Sequence, residues 1–379
     1  MNYVHAHAPA RQRQRQPWAR FDIVLVGTSV LLAIIGVVMI YSATRAKLAL
    51  ADDDPRYYLK RQLTFMLIGV VAMVVLALFD YRRFEQISTI LYVGTLLALV
   101  GVYFVGKSAL GAQRWYPLGP LQVQPSEFAT LTVIIAIATY CARRPDGLDF
   151  RDLVRLVLLA GVPILLIIKQ PDLGTGIVMS IILVVMLSVA GMPGRYLMLL
   201  IVGAVVVVLL ALQANLLQKY QIERLTSFIS PNDAGSTASY NVQQAKDAIG
   251  SGGLFGKGLF KGAETNLSYV PSQQTDFIFS AVGEQVGFAG SSILLFLYGV
   301  VAWRVLRTAQ LARDNYGRLI CSGVFALLIF SVFENVGMNL GIMPVAGIPL
   351  PFLSYGGTAV IVFFAAIGLT VSVHNRSVR

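Results

Sequence analysis

Carboxylates are among the costliest groups to place in a bilayer, and within an apolar chain they mark sites of chemistry. In "SYVPSQQTDFIFSAVGEQVG" (268–287), Asp276 stands at the mouth of an apolar run and Glu284 two turns further in. On one helix they would lie about 12 Å apart along the axis and about 80° apart around it, able to border one cleft without touching. Glu127 opens another apolar run in "QPSEFA", Asp172 sits in the turn "KQPDLG", and Glu334 and Asn335 lie inside a third run. His5, His7 and His374 all fall in the tails. Histidine-based nucleophilic and metal chemistry is thereby excluded from the apolar part, and carboxylates remain as its acids or bases. The cations beside these turns are Arg114 and Lys169, with Lys60 and Arg61 further off. Guanidinium and ammonium groups pair with anionic oxygens.

Each residue also has a plainer structural reading. Asp276 can cap a helix N-terminus, and for a lone Asp capping and catalysis are both open. Glu127 follows "PS" as an acidic residue of a first helical turn. Asp172 can pair with Lys169 or shape the turn. Glu284 reads as a buried structural carboxylate, and Glu334 with Asn335 as hydrogen-bonding residues facing a bundle interior. Lys60 and Arg61 can simply snorkel to the interface.

The elements that must position these residues follow from composition. Of 379 residues, 56% are hydrophobic and 13% charged, too apolar for a soluble domain of that length. A membrane helix takes about 20 mostly apolar residues, and roughly ten runs qualify: 22–42, 63–79, 86–105, 126–141, 153–168, 174–190, 196–212, 276–302, 319–340 and 354–373. None alternates with period two, so a β-barrel is not expected. The expectation is an all-α polytopic membrane protein with about ten transmembrane helices, in three parts: a basic tail (1–21), a membrane domain (22–373) and a short tail (374–379). Within the domain, 213–275 is a large extracytoplasmic loop between the seventh and eighth helices, rich in Gly, Ser, Asn and Gln, where "NVQQAKDAIGSGG" reads as a short amphipathic helix.

Lys and Arg set the orientation. "RQRQRQPWAR" and the Arg-rich short loops place both termini in the cytoplasm, with the first run an uncleaved anchor. The net charge of +11 is then topological and directed at membrane lipids, with no call for nucleic acid. Cys141 and Cys321 read as isolated buried thiols. "GSGGLFGKG" lacks the Ser or Thr that a phosphate-binding loop needs after its Lys, and no internal repeat supports an inverted-repeat transporter.

Four clusters join Pro/Gly-interrupted backbone to polar groups on the expected outer side: 111–129, 169–176, 268–287 and 334–359. Broken backbone at membrane depth is tolerated where it is buried in protein or lines a wet cavity, so four such clusters predict one outward-facing site. In order, "QRWYPLGPLQVQPSEFA", "KQPDLGTG", "AIGSGGLFGKGL", "VPSQQTDFIFSAVGEQVG" and "GIPLPFLSYGG" resemble the SEDS family (shape, elongation, division and sporulation). The resemblance covers about 22–373 and is nearer to the rod-shape branch, RodA, than to the division branch, FtsW.

It implies a peptidoglycan glycosyltransferase of the bacterial inner membrane that polymerises lipid II into β-1,4 glycan during elongation and cell-shape maintenance. Undecaprenyl diphosphate would be the leaving group, and a lipid II flippase is the alternative reading. It implies Asp276 as the catalytic residue, as base or as metal ligand, and Glu127 in the same cavity. Arg114 and Lys169, with Lys60 and Arg61 as further candidates, would serve the substrate. Relatives often carry Lys three residues after this glutamate where this chain has Thr130. Mg²⁺ or Mn²⁺ is the expected cofactor, with no nucleotide or organic group. The expected partners are lipid II, the growing glycan strand and a class B penicillin-binding protein as transpeptidase.

Overall fold

Each of the ten apolar runs lies mainly on a helix in the computed structural model. It describes residues 21–109, 112–118, 121–145, 147–214, 224, 237–267 and 269–377. The basic tail to residue 20, Arg379 and the loop stretches 215–223 and 225–236 lie outside the described residues. The first seven long helices are α1 (Ile23–Leu50), α2 (Tyr57–Leu78), α3 (Arg82–Val105), α4 (Pro125–Ala142), α5 (Phe150–Lys169), α6 (Leu173–Val189) and α7 (Gly194–Gln213). The outer segment adds α8 (Thr237–Gly252), on the stretch read as amphipathic, and the single turn α9 (Ala263–Asn266). Three long helices complete the chain: α10 (Ile278–Leu311), α11 (Asn315–Asn339) and α12 (Gly357–Ser377). Seven of these helices are long and apolar enough to cross a membrane, α1–α4 and α10–α12, and α6 and most of α7 are shorter apolar helices. α5 carries Arg151, Asp152 and Arg155 at its start and Lys169 at its end.

Local chemistry starts the helices where they start. Asp22, Asp172 and Asp314 accept from the backbone N–H groups of Leu25, Thr175 and Gly317 at 3.0, 3.3 and 2.7 Å, satisfying donors that a helix terminus leaves orphaned. Asp149 and Asp152 form a reciprocal capping box on α5, and Pro125 opens α4 at the position where a missing N–H costs nothing. α4, α11 and α12 bury most of their length, whereas α2 and α3 lie at the periphery. Cys141 and Cys321 are buried free thiols.

Ion pairs gather at one end of the bundle. Asp22, ahead of α1, pairs with Arg304 at 2.7 Å, Arg82 with Asp314 at 2.9 Å, and Asp80 with Arg376 near the chain end at 3.4 Å. The start of α1, the α2–α3 and α10–α11 connections and the end of α12 therefore share one end.

Two features were not anticipated from sequence. The stretch after α3 forms a small antiparallel sheet, β1 (Lys107–Ala109), β2 (Ala112–Leu118) and β3 (Leu121–Val123), in the order β1-β2-β3. The Tyr116 hydroxyl fastens it to α3 by donating to the carbonyl of Ala98 at 2.8 Å. The 34-residue α10 is broken at Gly287, whose φ of 66° and ψ of −166° leave the helix. An added Cβ there would meet the Gly256 nitrogen at 2.3 Å, so the break requires glycine on steric grounds. The outer segment stitches itself to the break through Lys257 N to Glu284 O at 2.9 Å and Phe288 N to Gly253 O at 2.9 Å.

Candidate active site

The four Pro/Gly clusters converge. At the end of the bundle away from the ion pairs, Gln124 and Ser126 of the first cluster donate to Asp172 Oδ2 of the second at 2.9 and 3.1 Å. Thr358 of the fourth donates to the Gln122 carbonyl at 3.1 Å and accepts from Gln124 N at 3.1 Å. Ser354 donates to the Thr275 carbonyl at 2.6 Å, and Tyr355 N to Gln274 O at 2.8 Å, joining the fourth cluster to the third. Together they enclose a cavity of about 360 Å³.

Asp276 lines this cavity from the turn ahead of α10. It does not cap that helix: the flanking position is Phe277, which makes no side-chain capping bond. The N–H of Ser280, in the first turn, is taken instead by Asn339 Oδ1 at 3.2 Å. The main-chain carbonyl of Asp276 accepts from Asn335 Nδ2 at 2.9 Å and Asn339 Nδ2 at 3.1 Å. Burial pushes the Asp276 carboxyl above the ordinary carboxylate range, and the guanidinium of Arg224, the largest opposing influence, pulls it back.

Gly347 sits between that carboxylate and that guanidinium. A Cβ added there would lie 3.5 Å from Asp276 Oδ2 and 3.4 Å from Arg224 Nη1, at a φ of 75° that side chains rarely adopt. Arg224 is held by donating from Nη1 to the Ala346 carbonyl at 3.0 Å. Sequence reasoning missed it: it is one cation in a long polar segment, with no local signal pointing to the cavity.

Glu127, in the first turn of α4, lines the same cavity. Thr130, one turn on, is buried and donates to the Ser126 carbonyl at 3.3 Å. Arg114 reaches the cavity from β2, with its guanidinium tied to the carbonyls of Gln170, at 2.7 Å, and Pro171. Arg61 lines it from α2, beside the aromatic rings of Tyr57 and Tyr355. Asp172 lines it as well, but its oxygens are taken by Gln124, Ser126 and Thr175, so it shapes the turn.

The remaining sequence candidates lie elsewhere. Lys169 is exposed at the end of α5 and is not among the lining residues. Lys60, one residue from Arg61, points to an exposed pair with Asp54 at 2.7 Å. Glu284 is fully buried behind the site, where it binds Lys257 at 3.1 Å and the backbone N–H groups of Glu264 and Thr265 at 2.9 and 2.8 Å. Glu334 accepts from Ala346 N at 3.2 Å, and Asn335 Nδ2 donates to Ile348 O at 2.8 Å, so both shape the 346–348 wall without lining the cavity.

Among the described residues no cluster of three acidic, His or Cys side chains could hold a metal by itself. Mg²⁺ commonly needs one or two protein carboxylates and takes its other ligands from substrate phosphates and water. Asp276 and Glu127, whose oxygens are not engaged in helix capping, fit that demand.

The chain matches the FtsW/RodA/SpoVE family, described as cell cycle proteins, over residues 22–378. It is 36% identical to the stage V sporulation protein E of Bacillus subtilis, over 94% of this chain and 97% of that protein. It is 35% identical to the peptidoglycan glycosyltransferase MrdB of Escherichia coli K12, over 91% and 93%. Among solved structures, a chain of a peptidoglycan synthase complex, described as coordinating polymerization and crosslinking, superposes with a TM-score of 0.81 at 31% identity, covering 95% of this chain and 99% of that one. The rod shape determining protein RodA of Thermus thermophilus gives 0.72 at 31% identity, over 96% and 100%. Sporulation and rod-shape relatives thus match at similar identity.

Proposed function

Because the chain belongs to the FtsW/RodA/SpoVE family of cell cycle proteins, we propose that its cavity is the site of a peptidoglycan glycosyltransferase at the bacterial inner membrane. The enzyme polymerises lipid II into β-1,4 glycan for cell-shape maintenance. The observation that carries this reading is the placement of Asp276. Its backbone is clamped by two asparagines, its carboxylate is not used for capping, and it faces a polar cavity with Arg224 and Arg114 on the walls.

In the proposed reaction the growing strand presents its anomeric carbon, still bearing undecaprenyl diphosphate, and incoming lipid II presents the GlcNAc 4-hydroxyl. Asp276 accepts the hydroxyl proton as oxygen attacks carbon with inversion. The C–O bond to diphosphate breaks, and its electron pair leaves with the diphosphate. Arg114, fixed by two carbonyls, and Arg224 offer preorganised positive charge to that leaving group. Glu127 orients the incoming sugar, and Glu127 and Asp276 are the residues that would hold a divalent cation. When bound, such a cation would neutralise diphosphate charge. The membrane confines both lipid tails, which lowers the entropic barrier to encounter. Crosslinking falls to a separate transpeptidase, and a class B penicillin-binding protein is the proposed partner.

The test is polymerisation of purified lipid II by the purified protein, with and without that partner and with Mg²⁺ or Mn²⁺, alongside lipid II translocation in the same proteoliposomes. Glycan strands are expected. Translocation with no polymer under any of these conditions would replace the enzyme by a flippase.

A further inference from the structure

A second cavity lies at the opposite end of the bundle, where the connections carry their arginines. It measures about 440 Å³, within the about 300–1,000 Å³ range of ligand sites. α3 contributes Ser88, Thr89 and Tyr92, α4 contributes Thr139, the turn after α4 contributes Arg143 and Arg144, and α5 contributes Leu159. The lining carries two positive charges and no carboxylate.

Three features say what would fill it. The Thr139 hydroxyl is buried and lines the cavity, does not bond the carbonyl four residues back as a helical threonine ordinarily does, and has only the Tyr316 hydroxyl facing it. A buried polar group left this way calls for a ligand or water. Arg143 and Arg144 stand at the rim, more than 40% exposed, in loose pairs with Glu85 at 3.2 Å and Asp152 at 3.7 Å. Exposed pairs of this kind contribute little and exchange readily for a better anion. The wall turns apolar with depth: Ala136 lies nearly two turns inside Arg143, and Leu159, whose carbonyl is held by the Tyr92 hydroxyl at 2.8 Å, lines the cavity from α5. The site is cationic at its rim, hydroxylic in the middle and apolar below.

We propose that this cavity binds the headgroup of an anionic glycerophospholipid. Arg143 and Arg144 would hold the phosphate oxygens, Thr139 would donate to the glycerol region, and an acyl chain would descend past Leu159 between α3 and α5. Basic pockets between helices at a membrane face suit such headgroups, at about a fivefold gain in affinity per basic residue.

The experiment is native mass spectrometry of the delipidated full chain in detergent, titrated with phosphatidylglycerol, phosphatidylcholine or glycerol phosphate. Wild type should retain phosphatidylglycerol in preference to phosphatidylcholine. The Arg143→Gln/Arg144→Gln protein should bind it about thirtyfold more weakly. Because that variant also loses two ion pairs, Leu159→Trp, which fills the cavity and keeps both arginines, should abolish retention as well, with unfolding temperature as the control for folding. Equal retention by wild type and Leu159→Trp would overturn the site. Equal retention of phosphatidylcholine would overturn its charge selectivity, and displacement by glycerol phosphate at matched concentration would overturn the lipid as its ligand.

Discussion

Asn335, deep in α11, donates its amide to the main-chain carbonyl of Asp276 at 2.9 Å, across 59 residues of sequence. The same amide reaches Ile348 at 2.8 Å, so one side chain positions both the turn that carries Asp276 and the facing wall. Replacing it by alanine should leave the Ile348 carbonyl without this donor and cost about 1–3 kcal/mol of stability. Turnover should fall with KM little changed, because the carboxylate stays in the cavity but loses its support. Steady-state kinetics with a thermal melt would check this, and wild-type turnover would remove the positioning role.

Asp276→Asn should abolish glycan synthesis, by about 10²–10⁴-fold if the residue acts as general base. Insertion, unfolding temperature and partner binding should stay near wild type, since the helix is served by Asn339 and not by Asp276. Product strands resolved on gels at matched protein levels give the answer, and normal polymer would sink the assignment.

Arg224→Gln should move the acidic limb of the kcat/KM profile to higher pH. A general base must be deprotonated to act, burial already raises the pKa of Asp276, and Arg224 opposes that rise. Without the guanidinium the carboxyl holds its proton to higher pH. A limb that stays in place, or shifts to lower pH, would show that Arg224 does not act on Asp276.

Arg114→Ala should lower turnover about ten- to hundredfold, from about 1.5–3 kcal/mol for a charge-assisted bond formed in the transition state. Arg114→Lys should rescue little, because one ammonium cannot span the carbonyls of Gln170 and Pro171 as the planar fork does. Lys169→Ala, outside the cavity, should leave the rate unchanged. Rates of all three at saturating and subsaturating lipid II decide the matter.

Much of this protein was legible along the chain because the signals are local. Ten apolar runs are helices wherever the membrane requirement is met residue by residue, and the Pro/Gly clusters marked the broken backbone that encloses the cavity. Asp276 and Glu127 stood out because charge at the edge of an apolar run is costly. Other decisions depended on direction or on distant partners. Lys60 and Arg61 are neighbours in sequence, yet about 100° of helical rotation turns one to Asp54 and the other into the cavity. Arg114 and Lys169 were equivalent as cations beside turns, and only the course of β2 chose between them. Whether Asp276 caps its helix was settled by Asn339, 63 residues away, and Arg224 entered the site from a polar segment with no periodicity to follow. Hydropathy is a property of each stretch by itself, whereas the pairing of a carboxylate with a guanidinium exists only once the helices have packed.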